Sequence, residues 1–375
     1  MTQPSVTLPS ARVLIAPDSF KGSLGAPEVA KALVQGIHKA RPLLDCVPHP
    51  LADGGEGTLD VLASSGFELV DVSVVDHRGQ KVVAQLAMRD DVVVVESAQA
   101  CPFTPGASAA DALSASTRGV GMMIAAALDL GLSRVYLAVG GTATTDGGAG
   151  MLSELGVRFL NHQGENIPAG GVGLVDLHSV ELSGLDARLA DVEVVLLSDV
   201  DNPLLGPMGA AAVFSPQKGA DRAAVELLEQ GLSHYADLVA PGQVQASGGG
   251  AGGGLGFAAL AALHARRCSG AQEIMALTGF DKALESVSLV ITGEGSFDDQ
   301  STRGKVPSVV IDAALARGIP VVVVCGVDKR SATSVTATPA LSVYSLLDIE
   351  PDLDRCIDNA YELLVQVGQE IGRTI

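Results

Sequence analysis

RVLIAPDSFKGSLGAPEVAKALVQGI, residues 12–37, reads as a strand, a loop and a helix in succession. Residues 12–16 are a short apolar run of the kind a sheet buries. Past the loop, Val29, Leu33 and Ile37 recur at helical spacing with Ala30 and Val34 beside them, and Pro27 suits the first helical turn. The same alternation recurs down the chain. Residues 92–95, 135–139, 192–197, 289–291 and 321–324 are apolar, β-branched strand candidates. Residues 121–130, 151–155, 223–238, 257–264 and 306–316 read as helices, with Ser116 or Thr117 placed to cap the first. One closing helix is expected to carry Leu353, Ile357, Tyr361, Leu364 and Ile371. Strands alternating with helices predict an α/β fold built mainly on parallel sheet.

Residues 70–95 break the pattern: three short β runs surround Asp76-His77-Arg78-Gly79, a hairpin-like insertion. At 375 residues the chain exceeds the usual single core. The expected division is one domain from residues 1–70 and 285–375, with residues 71–284 inserted as a second α/β domain.

Composition narrows the function. Apolar residues at 47% and charged residues at 18% suit a folded globule, and 3% aromatics without Trp give no base-stacking platform. A formal net charge of −19 repels nucleic acid and anionic lipid, so no nucleic-acid or membrane partner is expected. Anionic substrates are repelled too, and a phosphate site must supply its own cations. The five cysteines are scattered, with no C-x-x-C pair, which fits reduced thiols in a cytoplasm. No signal peptide and no apolar run of about 20 residues is visible.

Ligands of open parallel sheets bind beyond the carboxyl ends of the strands. Acidic residues recur there: Asp18 in APDSFKGS, Asp146 in GGTATTDGGAG, Asp199 in SDVDNP and Glu294 in TGEGSFDDQS. ADGGEGT, with Asp53, Gly54, Gly55 and Glu56, adds a further acidic loop. Each could be a helix cap or turn former alone, but four strands ending in carboxylates exceed what capping asks for. Carboxylates with few histidines suggest Mg²⁺–phosphate chemistry, and a carboxylate can take the proton of an attacking hydroxyl. Lys21, Lys218, Arg303 and Lys305 lie near these loops. Residues 248–256, GGGAGGGLG, run into a helix as an anion-binding nest or a hinge would. Neither a Walker A pattern nor a G-x-S-x-G elbow occurs, and no strand precedes the glycines as a dinucleotide fingerprint requires.

Taken in order, APDSFKGSL, ADGGEGT, GGTATTDGGAGM, DNPLLGPMGAA, FSPQKGA, GAGGGLGFA and ITGEGSFDDQS with GKVP resemble the bacterial glycerate kinase family over roughly residues 12–372. The resemblance implies two α/β domains with the active site in the cleft between them. One would be a doubly wound, Rossmann/flavodoxin-like parallel sheet formed by both chain ends. It implies ATP and Mg²⁺ acting on D-glycerate, with 2-phosphoglycerate favoured over 3-phosphoglycerate. By position, Asp18, Lys21, Asp146 and Asp199 are carried over as catalytic candidates, with Asp146 and Asp199 first for the base. Ser19, Asp53, Gly54, Gly55, Glu56, Gly147, Gly148, Asn202, Lys218, Gly252, Gly253, Gly254, Glu294 and Lys305 are carried over for substrate or nucleotide, and Asp53, Glu294 and Asp298 for metal. Thr145 before Asp146, the acidic run Phe297-Asp298-Asp299 and the loose ESAQACPF segment depart from the family pattern and bear on substrate preference. A monomer or a homodimer is compatible with the chain. Competing readings are a hydroxy-acid-binding protein without catalysis, a nicotinamide dehydrogenase, and a kinase for another small polyol acid.

Overall fold

In the computed structural model, residues 12–298, 305–329 and 341–375 are described. The chain divides into two compact units. The first comprises residues 1–53, 60–65 and 271–375, the second 54–59 and 66–270.

The first unit is a five-stranded, all-parallel sheet. Its strands lie in the order Leu341–Ser345, Val321–Asp328, Leu289–Phe297, Arg12–Ile15, Asp45–Pro48. Side chains alternate across it, as strand geometry dictates. Val13, Ile15, Ile291 and Val324 face one core with helices Ala26–Ala40 and Ala360–Thr374. Leu14, Val290, Val323 and Cys325 face the other with helix Val306–Leu315. Both faces are covered, so the inner strands carry near-continuous apolar runs such as Val13–Ile15, Leu289–Ile291 and Val321–Cys325, as a doubly wound sheet demands. From Arg12–Ile15 the chain first pairs outward with Asp45–Pro48, and the later strands add on the other side. The order therefore reverses between Arg12–Ile15 and Leu289–Phe297, the place where doubly wound sheets open a ligand crevice.

The closing helix differs from expectation. It is two helices, Leu353–Asp358 and Ala360–Thr374, broken at Asn359. The Asn359 amide donates to the Arg355 carbonyl at 2.8 Å, a side-chain bond that competes with continued helix.

The second unit holds a six-stranded mixed sheet in the order Arg266–Cys268, Glu193–Leu197, Arg134–Ala138, Val92–Glu96, Lys81–Arg89, Glu68–Val75. The first four are parallel and the last three pair antiparallel. The hairpin turn at 76–80 is closed by Asp76, whose Oδ1 accepts from the Arg78 and Gln80 amides at 2.9 and 2.8 Å. A two-stranded ribbon, Arg158–Leu160 with Ser179–Glu181, stands beside it. Among the described residues, no helix is long and apolar enough to cross a membrane.

Candidate active site

The first unit gathers its chemistry at the reversal of strand order. Strand Arg12–Ile15 ends into the loop carrying Asp18, whose backbone amide donates to Gly293 O at 2.8 Å, while Thr292 Oγ1 donates to Ala16 O at 2.8 Å. These bonds pin the loop to the neighbouring strand. Gly295 lets them approach: a Cβ there would stand 3.3 Å from the Lys21 nitrogen, and one on Gly326 would stand 2.5 Å from Gly295 O. The result is a cavity of about 410 Å³. Its polar lining is Asp18, Ser19, Lys21, Asp53, Glu294, Ser296, Asp298, Lys305 and Lys329. Its apolar lining includes Phe20, Leu346, Leu347, Leu353 and Ile357.

The electrostatics follow from that crowding. Burial first, then the neighbouring charge of Asp53 and that of Glu294, push the Asp18 carboxyl up to about 8, against the Ser19 amide bond at 2.6 Å and the Lys21 charge, which lower it. Asp18 is thus a carboxylate poised to hold or release a proton near neutral pH. Lys305 is the N-cap of the ten-residue helix Val306–Leu315, so this lining residue marks the positive end of the helix. Asp299 and Arg303, also noted in the sequence, lie outside the described residues.

The second unit treats its motif residues differently. Asp146 is 1% exposed. Its Oδ2 accepts from Thr117 N at 2.8 Å, Thr117 Oγ1 at 2.9 Å and Gly150 N at 3.2 Å, and its Oδ1 from Gly148 N at 3.1 Å. Burial raises its pKa and these bonds oppose the rise. Both oxygens are committed to holding the 142–150 loop against the start of helix Arg118–Asp129. Thr117, expected as a cap, instead turns its hydroxyl to Asp146 and accepts from Met151 N at 2.9 Å. Lys218 is equally buried. Its Nζ donates to Thr144 O at 2.6 Å, and desolvation lowers its pKa to about 8 while Asp146 and Cys101 favour its charge.

The glycines of this unit close backbone on backbone. Gly252, Gly253 and Gly254 have positive φ of 59°, 68° and 97°, and a Cβ on Gly253 would fall 1.9 Å from Thr144 O. Gly147 N donates to Gly253 O at 3.0 Å, so the two glycine loops bind each other. A Cβ on Gly54 would stand 3.1 Å from the Leu197 Cβ, and Gly140 N donates to Gly54 O at 3.3 Å. Asp199 accepts from Gly270 N at 3.0 Å, Asn202 donates to Met208 O at 2.8 Å, and Glu56 is exposed.

Sequence reasoning passed over Glu96, Lys329 and the apolar pocket wall. Glu96 ends strand Val92–Glu96, is 1% exposed, and accepts from Gly57 N at 3.2 Å and Leu59 N at 2.9 Å. Its position at a strand's carboxyl end was the available signal. Lys329 stands just past strand Val321–Asp328, beyond the apolar core by which that strand is recognised.

Carboxylates and lysines collected at the switch point of a doubly wound sheet are the build of an α/β kinase that acts on a small molecule. Comparison with known proteins agrees. The profile of the glycerate kinase family matches residues 13–375. A glycerate kinase of Bacillus subtilis is 37% identical, with 97% of each chain covered. A glycerate 2-kinase of Escherichia coli is 35% identical, covering 97% of this chain and 98% of that one. A crystal structure of a candidate glycerate kinase 2 from Salmonella typhimurium LT2 superposes with a TM-score of 0.80 at 36% identity, covering 98% of both chains. The chain belongs to the glycerate kinase family.

Proposed function

We propose that this protein transfers the γ-phosphoryl group of ATP to D-glycerate and releases 2-phosphoglycerate. The observation that carries the reading is the pocket of the first unit, where Asp18 stands beside Asp53 and Glu294 and where Lys21, Lys305 and Lys329 also line the cavity. Lysines supply the local positive charge that triphosphate and carboxylate need in a chain of net charge −19. Asp18 takes the hydroxyl proton as general base, because a base works best with a pKa near the operating pH. Asp146, first choice from the sequence, suits that role less well, since four donors already occupy its oxygens. Asp146 and Lys218 serve by holding their loops in place.

Mg²⁺ fits this pocket. Asp53, Glu294 and Asp298 are hard oxygen donors lining one cavity, and the charges of Asp53 and Glu294 add to burial in raising Asp18. Among the described residues no three acids, histidines or cysteines form a closed cage, and Mg²⁺ in kinases commonly uses one or two carboxylates plus phosphate oxygens. Bound there, it would neutralise phosphate charge.

The 2-position product is supported by the name of the Escherichia coli relative. Incubation with ATP, Mg²⁺ and D-glycerate, followed by NMR of the product, tests both parts. A phosphorus coupling to C2 supports the proposal, coupling to C3 moves the product, and no phosphoryl transfer overturns it.

A further inference from the structure

The pocket around Asp18 has a mixed lining, and the apolar part of it has no use for glycerate. D-glycerate is a three-carbon acid with a carboxylate and two hydroxyls, so it presents almost no apolar surface to bury. Yet Leu346, Leu347, Leu353 and Ile357 line the same cavity as the acids and lysines. Leu353 is 51% exposed and Ile357 39% exposed, on one turn of the short helix Leu353–Asp358. Leucine and isoleucine left open beside a charged pocket mark a surface completed by a ligand. Ser23 Oγ donates to Ile357 O at 2.8 Å, which ties this helix to the loop that carries Lys21. The apolar wall and a phosphate-competent lysine are thereby held in one local frame.

A ligand that satisfies both parts of the lining has an apolar, flat end and a polyanionic end. A nucleoside triphosphate has that shape. The cavity volume, about 410 Å³, suits it far better than it suits a three-carbon acid alone. We infer that the base of the nucleoside triphosphate lies against Leu353 and Ile357, with its phosphates running toward Lys21, Lys305 and Lys329. This inference rests on the kinase reading above and adds to it the residues that hold the base. The acids of the pocket are then left to Mg²⁺ and the acceptor.

Contact with the base is separable from contact with phosphate. Calorimetry on the full chain compares ATP with inorganic tripolyphosphate, which carries the same anionic chain without a base. Wild-type protein should bind ATP more tightly than tripolyphosphate. Leu353→Asn should weaken ATP about five- to tenfold, as expected when apolar contact area is lost, and leave tripolyphosphate within twofold. Ile357→Ser should do the same, and Leu353→Met should restore ATP affinity. Leu353 is about half exposed and Ile357 is outside the fully buried core, and thermal unfolding of both variants checks that the fold is kept. Equal affinity of the wild type for ATP and tripolyphosphate, or an equal loss for both ligands in the variants, overturns the inference. A wild type that prefers ATP but fails to phosphorylate glycerate, with the preference lost in the two variants, would uphold the base site and overturn the function proposed above.

Discussion

Asp18 carries the sharpest consequences because its environment opposes its charge. If it is the base, kcat/KM rises as pH passes through about 8, where the carboxyl gives up its proton. Asp18→Asn should lower kcat by about 10²–10⁴-fold, the usual contribution of a positioned base, while ATP binding persists. A pH profile and the variant's kcat check this, and a near-normal kcat returns the role to another acid. The same shift has a stability sign. An aspartate in the unfolded chain titrates near 3.9, so the folded protein holds this proton more tightly than the unfolded one. The stability that gives is full below that pH and is lost as pH rises through the folded value. Asparagine cannot ionise. Asp18→Asn should therefore melt above the wild type at pH 8 and alongside it near pH 4, which thermal unfolding at the two pH values measures.

Two contacts between elements are equally exposed to test. Buried Glu96 receives the first amides of helix Thr58–Ser64, at 2.9 Å from Leu59 N. Glu96→Ala strands those donors and should cost about 1–3 kcal/mol, with Glu96→Gln costing less because one oxygen remains. Chemical denaturation reads the difference. In the first unit, helices Ala26–Ala40 and Ala360–Thr374 cross at glycines. A Cβ on Gly36 would lie 2.2 Å from Val365 O, and one on Gly368 would lie 2.6 Å from Leu33 O. Gly36→Ala should therefore destabilise by about 1–3 kcal/mol, although alanine is the better helix former by about 1 kcal/mol in open helix. A neutral or stabilising result would mean that the helices separate easily.

The first unit is assembled from both ends of the chain, and that has a consequence for truncation. Strand Arg12–Ile15 finds one of its parallel partners, Leu289–Phe297, some 275 residues later. Helix Ala360–Thr374 shares one core with Val29, Leu33 and Ile37 of helix Ala26–Ala40, and losing it would open that core to water. A chain ended after residue 350 should lose the cooperative unfolding of this unit and aggregate, as differential scanning calorimetry and light scattering would show. A soluble truncated chain with an intact transition would contradict the shared core.

Much of this was legible in residue order. Apolar runs of four or five between helical repeats announced the strands at Arg12–Ile15, Val92–Glu96, Arg134–Ala138 and Glu193–Leu197, because burial on both sheet faces writes itself as continuous hydrophobicity. Asp18, Asp146, Asp199 and Glu294 stood out because strand ends are local features, and seven ordered motifs sufficed for family membership. The strands Asp45–Pro48 and Leu341–Ser345 were missed, since as sheet edges their patterns are short and mixed. The break at Asn359 was missed because apolar spacing continues across it.

Motif and fold class are matters of neighbouring residues, so the sequence by itself determined the α/β architecture, the glycerate kinase family and the acids worth examining. What each acid can do depends on groups distant in the chain. Only tertiary structure set Asp18 against Asp53 and Glu294 and raised it, and only tertiary structure filled the oxygens of Asp146 with four donors. Charge and hydrogen bonding act through space, and their range is a few ångströms rather than a few residues.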